Sequence, residues 1–165
     1  MMHFAGRPVE IRYQTGLRDT AGNEAHAATF IPRRRILLDA ALRRRPAERN
    51  RILLHELFHF VWVRLGNPRR REWEELLRRE RAEKARGEAG WSAEWRKRKL
   101  ADEDVAGRTR RWREYCCESF CDTAAAIFGQ AGRSGPDPEC TLGRARLARR
   151  AAWFRARLGH GPLPI

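Results

Sequence analysis

The sequence predicts an α+β fold: a small antiparallel sheet packed on a mainly helical domain with one central, buried helix. Three observations carry this. Short apolar–polar alternations crowd the N-terminal forty residues, beginning with Val9, Ile11 and Tyr13. Residues 46–65 are apolar on nearly every side, as in a helix covered all round. Two more helical patterns follow, at 108–128 and 142–158. With 165 residues the chain suits a single domain with a real core.

The elements follow in order. Residues 8–14 read as a half-buried strand, and Thr20, Ala21, Gly22 and Asn23 as turn chemistry. Residues 27–31 and 35–38 are two further short strands, separated at Pro32. Asp39 opens a short helical turn, and Pro46 suits the first turn of the central helix. Gly66, Asn67 and Pro68 stop that helix. From about 67 to 110 the chain is dense in charge, with Trp73, Leu76, Leu77, Trp91, Trp95 and Leu100 as apolar anchors. This stretch reads as a charged helical insertion within one domain covering 1–165. Gly129 closes the 108–128 helix, 132–138 is a loop, and the tail from Gly159 to Ile165 is too rich in Gly and Pro to be helical.

No window offers about 18 uninterrupted apolar residues, so no membrane-spanning helix is expected. The first residues lack the apolar core of a secretory leader, which points to the cytoplasm. The net charge is +14, and only Lys84, Lys97 and Lys99 among 35 basic residues are lysine. An arginine-rich solvated surface accounts for most of this. The triplets at 33–35, 43–45 and 69–71 also offer weak, salt-sensitive binding to nucleic acid or an acidic partner. Cys116, Cys117, Cys121 and Cys140 read as thiols packed as small hydrophobes, since their spacing is neither a disulfide framework nor a pair of Cys-x-x-Cys knuckles.

The chemistry sits in His55-Glu56-Leu57-Phe58-His59. Four residues apart on a helix, both imidazoles leave one face a turn apart. Two nitrogens so placed can reach one zinc ion at about 2.1 Å each. Glu56, rotated by about 100° from His55, can take a proton from water beside the ion without being a ligand. Such a pattern arises by chance in roughly one chain of this length in a few hundred. Its place on the most apolar helix strengthens the reading, because two unpartnered imidazoles and a carboxylate are costly to bury.

A catalytic zinc needs a third protein ligand and an open position. Glu118 on the 108–128 helix is the choice, with Glu114 as competitor and His26, His160 and His3 as outsiders. Asp122 shares the Glu118 face and can accept the free N–H of a ligand histidine. Tyr115, three residues before Glu118, is the candidate for steadying an oxyanion.

These residues resemble the gluzincin, or thermolysin-like, zinc metallopeptidases, and in size and layout the small ImmA/IrrE-type members most. The resemblance spans about 8–68 and 110–130, including Ile36 to Asp39 and the lead-in from Arg51 to His55. It implies a zincin-like fold around the His-Glu-x-x-His helix. It implies Zn2+ held by His55, His59 and Glu118, with Glu56 as general base and Asp122 orienting a histidine. It also implies hydrolysis of a peptide or protein substrate that pairs with a strand along the cleft, either 36–38 or 28–31. Residues 60–117, which separate His59 from Glu118, exceed the spacing of compact members. The alternative is a basic regulatory or nucleic-acid-associated protein with a structural or vestigial metal. A latent enzyme, its cleft closed by the insertion or the 159–165 tail, is a third reading.

Overall fold

The computed structural model describes residues 3–19, 22–129 and 137–165. The fold is α+β. Strands β1 (Phe4–Ala5), β2 (Glu10–Gln14), β3 (Ala27–Phe30) and β4 (Arg35–Asp39) precede a 3-10 turn at Ala40–Arg44. Helices α1 (Pro46–Arg64), α2 (Asn67–Ala82), α3 (Trp91–Lys97), α4 (Asp102–Ala106), α5 (Arg110–Phe128) and α6 (Arg144–Leu158) follow, and β5 (Leu163–Pro164) ends the chain.

The main sheet has the order β2-β4-β3. It is mixed where an antiparallel sheet was expected. β3 and β4 pair antiparallel, joined by a tight turn in which Arg34 adopts φ 49° and its N–H donates to the Ile31 carbonyl. β2 lies on the opposite edge of β4 and runs parallel to it, with Ile11 opposite Ile36. A hairpin turn fixes direction locally, whereas β2 reaches β4 only through a longer connection, which alternation cannot orient. Val9 and Tyr13 pack on the core, but Ile11 is 42% exposed. The C-terminal tail is not free: β5 pairs in parallel with β1 and sinks Leu163 into the core.

α1 is apolar all round because it is covered on two sides. Ile52 and Phe60 pack with Ile36, Leu38 and Leu42 beneath the sheet. Phe58, Val61 and Trp62 face α2, α5 and α6. There an aromatic cluster forms around Phe120, 4.9 Å from Phe154, 5.7 Å from Phe58 and 5.7 Å from Trp73 between ring centroids. Pro46 begins α1 and Pro68 is the second residue of α2, each in the first turn where a missing N–H costs nothing. Thr109 caps α5, its hydroxyl accepting from the Trp112 N–H.

The charged stretch at 67–110 contributes to the core. Trp73, Leu76, Leu77 and Ala93 are buried, and the Trp73 indole N–H donates to the Cys116 carbonyl. Its charges are spent inside as well. Arg150 of α6 is fully buried and donates to Glu80 and Glu88, at 2.6 Å and 2.7 Å. Lys97 lies 3.0 Å from Glu88. Two cations thus meet two anions at a joint of α2, α3, α5 and α6, with Ser119 and Thr123 also accepting from Arg150. The turn expected at 20–23 and the loop at 132–138 fall partly outside the described residues; Gly22 and Asn23 do form a turn on Asp19.

Candidate metal centre

α1 and α5 pack along their lengths, and that packing brings the two polar patches together. His55, His59 and Glu118 offer ligand atoms that all lie within 4.8 Å of one another. His55 Nε2 is 3.3 Å from Glu118 Oε2. Neighbouring ligand atoms around a tetrahedral zinc are about 3.4 Å apart. The donor set therefore has the size and chemistry for such an ion: two imidazoles and one carboxylate, with His55 and Glu118 both partly open to solvent.

Asp122 lies behind His55. Its Oδ1 accepts from His55 Nδ1 at 2.8 Å, and its Oδ2 accepts from the Ala93 N–H at 2.8 Å. The imidazole is thereby fixed in orientation with Nε2 directed at Glu118. Burial works against the His55 imidazolium, but Asp122 and Glu118 outweigh it and raise the pKa well above the ordinary value. Burial likewise opposes ionisation of Glu118. The hydrogen bond from His55 and the charges of His59, His55 and Arg96 outweigh it, holding the carboxyl well below its usual range. Glu118 is thus a carboxylate, the form that a cation requires.

Glu56 stands outside the ligand group. It is buried, and its Oε2 accepts from the Thr29 hydroxyl at 2.6 Å. Thr29 lies on β3, an edge strand of the sheet, so the carboxylate is anchored beside an open strand edge. β4, the other strand considered for substrate, is the central strand and has both edges paired.

Depth and direction separate the remaining candidates from the site. Tyr115 does not face the cluster of ligands. It is 3% exposed, and its hydroxyl donates to Glu88 at 2.6 Å within the buried Arg150 network. A step of three along α5 carries it from the Glu118 face into the interior, so its hydroxyl is engaged there. Glu114 is half-exposed and paired with Arg110 at 2.6 Å. His3, His26 and His160 are exposed and belong to none of the metal-competent groups among the described residues.

Several contributors carry no sequence motif. Ser92 donates to Glu118 Oε2 at 2.7 Å, and Arg96 Nη2 lies 3.4 Å from Glu118 Oε1. Both come from α3, a helix that spacing alone does not tie to the site. Cys117 Sγ lies 3.5 Å from His59 Nδ1, and Cys121 joins the same group of potential ligands. Here a signal existed: Cys117 and Cys121 repeat the four-residue step of Glu118 and Asp122, one position earlier.

No protein family, curated protein or solved structure matches the chain.

Proposed function

We propose that the chain is a metal-dependent peptidase, with His55, His59 and Glu118 as ligands of a divalent ion and Glu56 as general base. The observation that carries this is the convergence of those three ligand atoms while Glu56 is held apart by Thr29. Zinc suits two imidazoles and a carboxylate, and when bound it supplies Lewis acidity for carbonyl polarisation and water activation.

The chain's own groups do the rest. The Thr29 hydroxyl holds one oxygen of Glu56, leaving the other to accept a proton from the attacking water and pass it to the departing amine. Asp122 keeps the His55 tautomer that presents Nε2. The open edge of β3 supplies backbone donors and acceptors for an extended peptide lying beside Glu56.

The alternative reading, a basic nucleic-acid-associated protein, leans on the arginine triplets. Much of their capacity is spent within the fold. Arg34 donates to the Arg7 and Pro8 carbonyls, Arg35 pairs with Glu10, Arg43 stacks on Tyr13, and Arg70 caps the last carbonyls of α1. This favours the peptidase reading. The test is Glu56→Gln in the full chain. It should retain zinc by elemental analysis and lose hydrolysis of a peptide library. Undiminished hydrolysis by the zinc-replete variant overturns the role of Glu56.

A further inference from the structure

His59 also borders a second set of donors. Cys117, Cys121 and His59 offer ligand atoms that again lie within 4.8 Å of one another. Cys117 Sγ and His59 Nδ1 are 3.5 Å apart. For a thiolate at about 2.3 Å and an imidazole at about 2.1 Å from one tetrahedral ion, the expected separation is about 3.6 Å. The other thiols are placed differently: Cys116 is buried beneath Trp73, whose indole bonds to its carbonyl, and Cys140 lies in the segment between α5 and α6, its N–H on the Asp137 carbonyl. Simple packing explains a buried Cys121, but it does not explain why two thiols one helical turn apart both border the same imidazole edge.

We propose that Cys117, Cys121 and His59 form a second, thiolate-bearing metal subsite that takes a thiophilic ion, Zn(II) or Cu(I). Soft sulfur ligands select such ions over harder ones. As the ion enters, the two thiol protons leave to solvent, and for zinc the two thiolates balance the divalent charge while His59 stays neutral. A neutral imidazole has one acceptor nitrogen. His59, whose Nδ1 faces Cys117, therefore serves either this subsite or the His55–Glu118 position, but not both at once. The two ion positions are alternatives, and an ion on the thiolates leaves the proposed hydrolytic set one ligand short. The inference shares His59 with the peptidase reading but does not depend on hydrolysis.

The experiment is X-ray absorption on the metal-free full chain loaded with one equivalent of Cd(II), a thiophilic probe, and separately of Zn(II). The cadmium-loaded wild type should show a sulfur shell. That shell should persist in Glu118→Ala and vanish in the Cys117→Ser/Cys121→Ser double variant. Cadmium bound only through nitrogen and oxygen in the wild type overturns the subsite, and needs no variant to fold. Failure to bind either ion overturns it as well. Peptide hydrolysis tests the peptidase reading separately when measured on the zinc-replete Cys117→Ser/Cys121→Ser variant, where no thiolate competes for the ion: no hydrolysis there sinks that reading alone, and hydrolysis by the wild type without sulfur ligation sinks the subsite alone.

Discussion

Gly90 lies so close to Asp122 that a Cβ built on it would be 2.5 Å from the Asp122 carboxyl carbon. The backbone at Gly90 is extended, so it is this contact and not its conformation that demands glycine. The chain passes over the carboxylate here, and the Ala93 N–H then bonds to it from the start of α3. Gly90→Ala should push Asp122 off His55. We expect metal affinity to fall by about 10- to 100-fold, the usual cost of losing such a supporting contact, together with about 1–3 kcal/mol of stability from overpacking. A chelator competition and a urea melt read the two effects. Gly143→Ala, where nothing lies within 4 Å, is the control and should move neither measurably.

The two glutamates on α5 should separate cleanly. Glu118 sits against His55, Ser92 and Arg96, whereas Glu114 pairs with Arg110 at the surface. With Cys117 and Cys121 both replaced by serine so that zinc has only the His55–His59–Glu118 position, Glu118→Ala should release zinc during dialysis under conditions in which Glu114→Ala retains it. The reverse order would transfer the ligand role to Glu114.

Thr29 offers a way to loosen the proposed base without removing it. Thr29→Val keeps the shape of β3 and deletes the 2.6 Å hydrogen bond to Glu56. A hydrogen bond to a charged group contributes about 1.5–3 kcal/mol. We expect kcat to fall by about tenfold or more with zinc content unchanged. A loss confined to KM would assign Thr29 to substrate contact instead.

The site was legible where helical periodicity does the placing. His55 with His59, and Glu118 with Asp122, share faces because 3.6 residues make a turn, and the apolar stripes of α1 and α5 draw those faces together. Tyr115 shows the limit of that rule: a three-residue step leaves enough rotation for a side chain to turn inward. The part played by α3 was hidden because Ser92 and Arg96 meet Glu118 only through tertiary packing, in a stretch whose charge density suggested a solvated surface. Arg150, Glu80 and Glu88 are hidden for the same reason. Charged residues distant in sequence read as solvated, and the fold buries them against each other. The mixed sheet was unreadable because alternation fixes which face is buried and not which way a neighbour runs.

That buried cluster makes stability depend on acid in a defined window. Burial raises the cost of ionising Glu88, yet Arg150 and Lys97 more than compensate, and its pKa is lowered to about 2 from an ordinary value of 4.5. A carboxyl whose pKa drops on folding stabilises the fold fully above its unfolded value and loses that contribution as pH falls through its folded one. The contribution here is on the order of 3 kcal/mol, and it should disappear between about pH 4.5 and pH 2. Arg150→Met removes the main cause of the shift and leaves Glu80 and Glu88 buried with Lys97 as the remaining cation. Breaking a buried pair in this way costs about 3–5 kcal/mol at neutral pH. The variant should also lose less stability than the wild type on acidification, because Glu88 then protonates nearer its unfolded pKa. Urea melts of both proteins at several pH values check this. Parallel curves for the two, offset by a constant amount, would mean that Arg150 acts through packing alone.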